Sequence, residues 1–377
     1  MMTKQFDVAV IGGGAAGLSA AVALGRSRRT VVVLDDATPR NAPAAGVHNF
    51  LTRDGMPPGE LLGKGRAEVE AYGGVIVHAE ATEARRTDDG FAVTTADGEV
   101  IRARRLVVTT GLTDELPDVP GVRELWGSDV LHCPYCHGWE HAGEAIGVLG
   151  SGPLAVHQAF MFRQLSDDVV LFQHTAPPLT PQEAGQMAAV GVRVVPGPVS
   201  RLETAGGRLT GVRMADGTVI ARTAVVVGPR MVARSRVLRS LGLDPVPHPQ
   251  GAAVGEFIES GPQGQTSVPG LWVAGNVTDV HAQVIAAAAQ GLMAGAAVNA
   301  DLIAEDTQRA VDAARAHATA GRGPARARPP AGAGGAEARP PADAGGTHAR
   351  PRRTPEQIGD EHEPRPRTPT RRAASRR

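Results

Sequence analysis

The sequence predicts an α/β protein built from two Rossmann-like, three-layer nucleotide-binding domains and a disordered C-terminal tail. Three observations carry this. A strand, glycine turn, helix and strand open the chain; a second copy of that pattern begins near Ala145; and after about Glu305 the large apolar residues run out. At 377 residues and 42% hydrophobic content the chain can bury two real cores.

The first copy is "FDVAVIGGGAAGLSAAVALGRSRRTVVVLDD". Phe6 to Ile11 is an apolar run of strand length, and Leu18 to Leu24 reads as a small-residue helix. Thr30 to Leu34 reads as a buried parallel strand that ends at Asp35. Gly12, Gly14 and Gly17, with Ala15 between them, form the turn of a dinucleotide fingerprint. The first glycine permits the tight turn, the second lets a pyrophosphate approach the backbone, and the third lets helix and strand pack closely. The helix N-terminus attracts phosphate, and Asp35 is spaced to accept from a ribose hydroxyl.

The second copy, "AIGVLGSGPLAVHQAFMFRQLSDDVVLFQH", carries Gly150, Gly152 and Ala155 at the same spacing. A 2′-phosphate calls for Arg after the second strand. Gln173, His174 and Thr175 stand there instead, so NADPH against NADH stays open, as does a retained fold with a silent site. Each half continues with a hairpin, turning at Asp97-Gly98 and Asp216-Gly217, and a buried strand ending in Gly. "LWVAGNVTDVHAQVIAAAAQGLMAGAAVNADLIAED" then reads as a short strand, a polar turn and an Ala-rich helix.

Formal net charge is zero, but Arg outnumbers acids roughly two to one beyond Gly321. That Arg-, Pro-, Ala- and Gly-rich segment cannot offset its ordering entropy by burial. It reads as a solvated tail without specific nucleic-acid recognition. "MMTKQFD" leads straight into a strand, with no signal-peptide pattern, and no apolar run reads as membrane-spanning. The expectation is a soluble, cytoplasmic chain that does not engage a membrane.

Cys133 and Cys136 are the only cysteines, in "LHCPYCHGWEHAG". Two cysteines are no disulfide framework in so long a chain; redox or metal chemistry is the alternative. A dithiol/disulfide pair fits the spacing, and a helix N-terminus at Cys133 favours its thiolate. Zinc on Cys133, Cys136, His137 and His141 is the competing assignment, but His137 adjoins Cys136, which strains a tetrahedral site, and there is no second CxxC. No metal is expected. His137 is a candidate acid or base for the sulfur chemistry. His48, His132, His141 and His281 read as structural or as lining the cofactor site.

Two dinucleotide units with a CPYC pair just before the second resemble the low-molecular-weight thioredoxin reductases, which are flavin-dependent pyridine-nucleotide disulfide oxidoreductases. The resemblance covers roughly residues 5 to 305. It implies a discontinuous FAD-binding domain, 1–113 and 244–305, with an NAD(P)H-binding domain, 114–243, inserted and carrying the CxxC. The tail is then 306–377. It also implies a homodimer, and a cysteine pair that rotates to meet the flavin. By position, Gly12, Gly14, Gly17 and Asp35 would hold FAD. Asn49 in "HNF", Thr110-Gly111 and Gln283 would lie near it. Gly275-Asn276 stands where Gly-Asp is usual in the family. The helix after Gln283 would aim its N-terminus at the reduced flavin. Cys136 would be the flavin-proximal thiol and Cys133 the one that attacks substrate.

Three departures bear on function. His137 replaces the usual Asp after the second Cys, the Arg-rich 2′-phosphate site is missing, and Ala282 replaces Arg. The CPYCHG form resembles a side branch that contains dithiol oxidases, which close disulfides in small natural products such as gliotoxin and holomycin. Three functions follow. The first is a reductase passing electrons from NAD(P)H through FAD and the Cys133–Cys136 disulfide to a thioredoxin-like protein or a small disulfide. The second is a dithiol oxidase with oxygen or NAD(P)⁺ as acceptor. The third, from another class, is a zinc-bound nucleotide-binding regulator.

Overall fold

The computed structural model describes the backbone of residues 5–320 and the side chains of 5–317. The first half runs β1 (Gln5–Ile11), α1 (Ala15–Arg26), β2 (Val31–Asp35), α2 (Pro58–Ala71) and β3 (Val75–His78). A meander follows, β4 (Ala81–Thr87), β5 (Gly90–Thr95) and β6 (Val100–Val108). β1, β2 and β3 are parallel, and β6 joins them beside β1. β6 does two jobs along its length. Its first part pairs antiparallel with β5 at Val100 to Ala103, and its last part pairs parallel with the late strand Leu271–Val273 at Leu106 to Val108. The alternation of strand and helix in the sequence gives this order because a parallel pair needs a crossover, and helices supply it.

β7 (Leu112–Glu115) leaves the first sheet. The second half holds β8 (Val130–Leu131), α3 (Pro134–His137), β9 (Ile146–Leu149), α4 (Ala155–Arg163), β10 (Val169–Phe172), α5 (Pro181–Ala189) and β11 (Arg193–Val195). The antiparallel strands β12 (Val199–Ala205), β13 (Arg208–Met214) and β14 (Val219–Ala221) follow, then β15 (Ala224–Val226). Its parallel sheet has the order β11-β10-β9-β15-β8. The design of the first half is repeated, except that the work of β6 is split here between β14 and β15.

β16 (Arg230–Ala233) returns antiparallel to β7, so the chain crosses between the halves on two paired strands. α6 (Arg236–Arg239) follows, with Val237 and Leu238 buried in the core of the first sheet, and Ser240 bonds both backbone groups of Ala84. The apolar residues Ala233, Val237, Leu238, Leu241 and Leu243, within the span 114–243 expected for the insertion, thus pack in the core of the first sheet. β17 (Val246–Pro247) and β18 (Gly255–Phe257) extend the small sheet, β19 is Leu271–Val273, and α7 is Val284–Ala320.

α7 corrects two further expectations. Order was expected to end at 305, yet the helix continues through 306–320. Asp306 is bonded to Arg29 and Arg104, and Arg309 pairs with Glu305, so charge contacts rather than apolar burial carry it on. The rest of the expected tail, 321–377, lies outside the described residues. α7 is also long and apolar enough, by length and composition, to cross a membrane, although no such run was read from the sequence. Alanines rather than large residues supply that hydropathy. One face of the helix packs on α1 instead, where Ala294, Val298 and Leu302 are buried.

Candidate active site

The first sheet directs its glycine loop and strand ends at a cavity of about 1250 Å³, and the cysteine turn after β8 closes on the same space. Gly12, Gly14, Ala15 and Asp35 line one end of it, Gly275, Asn276 and Gln283 another part, and Cys133, Cys136 and His137 a third. Thr110 and Gly111 line it as well; Gly17 and Asn49 do not.

The glycine loop is built for a close ligand. Gly12 has φ +105°, and a Cβ there would lie 2.5 Å from the Thr109 carbonyl oxygen. A Cβ on Gly17 would lie 1.9 Å from the Gly12 oxygen, so this glycine serves helix–strand packing. A Cβ on Gly14 meets no atom within 4 Å, which leaves open space over the backbone where a pyrophosphate would approach. Gly13 shapes the loop too: its N–H donates to Asp35 Oδ1 at 3.1 Å, and a Cβ there would strike the Asp35 carboxylate. α1 begins with no side-chain cap, so its first amides are free for an anion. These features fit FAD, the group the resemblance implies.

Gly275, where an added Cβ would lie 3.0 Å from the Ala16 Cβ at the start of α1, has φ +76°, and its N–H donates to Gln290 Oε1 at 3.0 Å. Asn276 explains its departure from the family's Asp. Its Nδ2 donates to the carbonyls of Asp279 and Ala282, both at 2.9 Å, and a carboxylate has no hydrogen to give. The Thr110 hydroxyl is committed to the Arg234 carbonyl at 2.6 Å.

Cys133 precedes α3, and Pro134 is its first residue, a position where the missing N–H costs nothing. Both cysteines are free and partly buried. The Cys133 thiol is lowered to about 7, first by the hydrogen bond from the Cys136 thiol, then by the backbone N–H groups of Tyr135 and Cys136, and by the Arg40 cation. Burial opposes this. Cys136, as the donor of that bond, is pushed upward, and burial adds to the shift. Within the pair, Cys133 is the sulfur that ionises first and Cys136 the one that keeps its proton longer. Burial holds His137 below its ordinary value, and its Nε2 is buried with no partner among the described residues. His132 is held down mainly by burial, with Nδ1 3.3 Å from the Val227 oxygen. Gln158 of α4 donates Nε2 to the carbonyls of His132 and Val227.

Asn49, with φ +59°, sits differently from the expectation of a cofactor neighbour: its Nδ2 donates to the Tyr135 carbonyl at 2.6 Å, between the two cysteines. His48 beside it contacts Asp54 through Nδ1 and Glu140 through Nε2, both at 3.3 Å. The loop from the first half therefore grips the cysteine turn. The pair forms part of the cavity wall.

The second glycine motif is not brought to the cavity. Gly150, Gly152 and Ala155 are absent from its wall; Leu154, from within the motif, and His157, Gln158 and Met161 of α4 are present. Gly150 packs against the chain after β10, where a Cβ would lie 2.5 Å from the Gln173 oxygen. His174, which stands where a phosphate-binding Arg was sought, has its Nδ1 occupied by the Val199 N–H at 3.0 Å. Among the described residues no group of three or more His, Cys, Asp or Glu side chains is placed to hold a metal. His141 instead faces Glu144, at 2.9 Å.

Sequence reasoning missed Arg40, Asp114, Glu140 and Gln158. Arg40 and Asp114 lie far apart in the chain yet form a two-pronged pair at 2.7 Å on the cavity wall. No motif marks such residues; only the fold brings them together.

A family profile described as pyridine nucleotide-disulphide oxidoreductase matches residues 6–291. "Thioredoxin reductase tcpT" of Claviceps purpurea is 30% identical over 79% of this chain and 95% of its own. "Thioredoxin reductase sirT" of Leptosphaeria maculans is 31% identical over 80% and 95%. Among solved structures, that of HlmI is 46% identical with a TM-score of 0.78, covering 84% of this chain and 99% of that one. An oxidoreductase from Agrobacterium tumefaciens is 34% identical with a TM-score of 0.74, covering 80% and 99%. On fold, cysteine site and these relatives together, the chain belongs to the pyridine nucleotide-disulphide oxidoreductase family, as a thioredoxin reductase-like disulfide oxidoreductase.

Proposed function

We propose that the chain exchanges electrons between a dithiol/disulfide substrate and a flavin through Cys133 and Cys136. The observation that carries this reading is that the cysteine pair and the first glycine loop share one cavity. Gly12, Gly14, Asp35, Gly275 and Gln283 would hold FAD, which when bound relays electron pairs between the cysteines and NAD(P)H or oxygen. Cys133 performs the exchange with substrate. In the reducing direction its thiolate attacks the substrate disulfide and displaces one sulfur. Cys136, deprotonated, then attacks Cys133, closing the internal disulfide and freeing the second substrate sulfur. In the oxidising direction a substrate thiolate attacks Cys133 of the oxidised pair and expels Cys136. The second substrate sulfur then displaces Cys133, closing the substrate disulfide.

The oxidising direction has its own support. His137, held neutral by burial, suits a base that takes a proton from an incoming thiol better than an acid that gives one. His174, occupied where a phosphate-binding Arg was sought, points the same way. A thioredoxin-like protein or a small-molecule disulfide is the substrate class in one direction, a small dithiol in the other. The exposed stripe of α7 supports a homodimer.

An anaerobic visible-spectrum titration of the purified protein tests direction. If NADPH or NADH bleaches the oxidised-flavin band stoichiometrically, the reductase reading holds, and the better donor gives the nucleotide. If neither bleaches it but a dithiol does, the chain is a dithiol oxidase. Retained turnover in both Cys133→Ser and Cys136→Ser would overturn either reading.

A further inference from the structure

Arg40 belongs to the loop after β2, and Asp114 to β7, the strand that leaves the first sheet. The guanidinium binds the Asp114 carboxylate through Nε and Nη2, each at 2.7 Å. The Asp114 side chain is 6% exposed, that of Arg40 29%. The carboxylate thus sits in the wall as a brace, with the cation on its cavity side. The third nitrogen, Nη1, makes no hydrogen bond or ion pair with any described residue. Arg40 shares the cavity wall with His132, Cys133, Cys136 and His281, which come from two separate stretches of chain. A fork held by two of its three nitrogens has a fixed charge in a fixed place, which a flexible lysine lacks.

We propose that Arg40, braced by Asp114, is a positioning residue that presents a cation to the Cys133–Cys136 pair and so keeps the attacking sulfur as thiolate. The electrostatic directions agree. Arg40 favours the charged form of both cysteines and disfavours protonation of His132 and His281. Asp114 acts against it at His132. Glu140, His48 and His141 act on His137, the neighbour of Cys136. His137 is held neutral and His48 contacts two carboxylates; Arg234, also on the cavity wall, is tied to Thr38 and Thr113, and Arg40 is the cation whose charge acts on both cysteines. The device needs no nucleotide, so it serves either direction of electron flow. It rests on the reading of Cys133 as the exchanging thiol.

The test is the pH dependence of iodoacetamide alkylation at Cys133 in the full-length flavin-loaded protein. The pair is first reduced with a phosphine that is then removed, and the modified peptide is read by mass. In Arg40→Gln the alkylation midpoint should rise by about half a pH unit, because the Arg40 charge is the last of the causes that lower Cys133. At a pH below both midpoints the rate then falls about threefold. Arg40→Lys should restore part of the shift. In Asp114→Asn the midpoint should stay or fall, because the cation remains and its countercharge is gone. An unchanged midpoint in Arg40→Gln, with flavin content and melting temperature retained, overturns the proposal. Equal upward shifts in Arg40→Gln and Asp114→Asn overturn it too, since the pair would then act only as a structural tie. If Arg40→Gln does not retain flavin, the Asp114→Asn arm decides alone: a rise sinks the proposal and a fall supports it. Failure of the cysteine reading is separate, because it would show as retained turnover in Cys133→Ser whatever the alkylation midpoints do.

Discussion

At the scale of single residues, two cysteines three positions apart become chemically distinct because one receives hydrogen bonds and the other gives one. Cys133 is lowered to about 7 chiefly by the Cys136 thiol. Its thiolate is therefore present above that pH and lost as pH falls through it, and exchange with substrate should decline on the acid side of neutrality. The cause can be separated from the cysteine itself. Cys136→Ala removes the donor and should raise the Cys133 alkylation midpoint by about 1 unit or more. Cys136→Ser keeps a hydroxyl donor and should leave it within a few tenths. Equal midpoints in the two variants would mean that backbone amides, not the partner thiol, hold the charge. Cys133, Cys136 and His137 were legible in the sequence because the CxxC spacing names its own chemistry. Asn49 was legible as a site residue but not in its role, since only the fold shows that its amide reaches the Tyr135 carbonyl. Arg40 and Asp114 were illegible, because nothing in their local sequence says that the loop after one strand meets the start of another.

At the scale of elements, the glycine and alanine pattern fixes how close α1, α7 and the first sheet come. A Cβ on Gly291 would lie 1.9 Å from the Ala16 carbonyl oxygen, and one on Gly295 would lie 2.9 Å from that of Ala20. α7 thus crosses α1 backbone to backbone, directly behind the loop that opens on the cavity. Gly291→Val should separate the two helices and lower stability by about 1–3 kcal/mol. It should also reduce the flavin retained on purification, read from the ratio of visible to ultraviolet absorbance. Normal retention in a destabilised variant would show that the crossing supports the fold and not the loop. At its far end α7 is held differently: Arg104, 13% exposed, contacts Asp7, Glu305 and Asp306. Arg104→Ala leaves those carboxylates without their shared cation and should cost on the order of 2 kcal/mol, measured by thermal or urea unfolding. The strand–helix alternation and both glycine loops were legible because each is a local pattern. The end of α7 was not. Its last turns rest on ion pairs to Arg29 and Arg104, hundreds of positions away, and a segment poor in large apolar residues reads as tail when those partners are unknown.

At the scale of the whole molecule, α7 has two faces, and among the described residues only one is packed. Ala294, Val298 and Leu302 are buried, while Ile285, Leu292 and Ile303 are 41%, 50% and 51% exposed. At about 100° per residue the three exposed residues fall within about 20° of one another, along a line of about 27 Å. Scattered exposed apolar residues need no account, but an aligned row on a helix whose other side is packed marks a surface awaiting a partner. A second copy is the partner that the family resemblance implies. A two-fold arrangement would lay this row against its equivalent, since a symmetric pair uses the same patch twice. Leu292→Glu together with Ile303→Lys should then convert a dimer to a monomer, with the mass measured by light scattering on a sizing column. Flavin content should persist, because neither residue lines the cavity. A monomeric parent protein would remove the two-fold reading outright. A dimer that survives both substitutions would move its interface to another face.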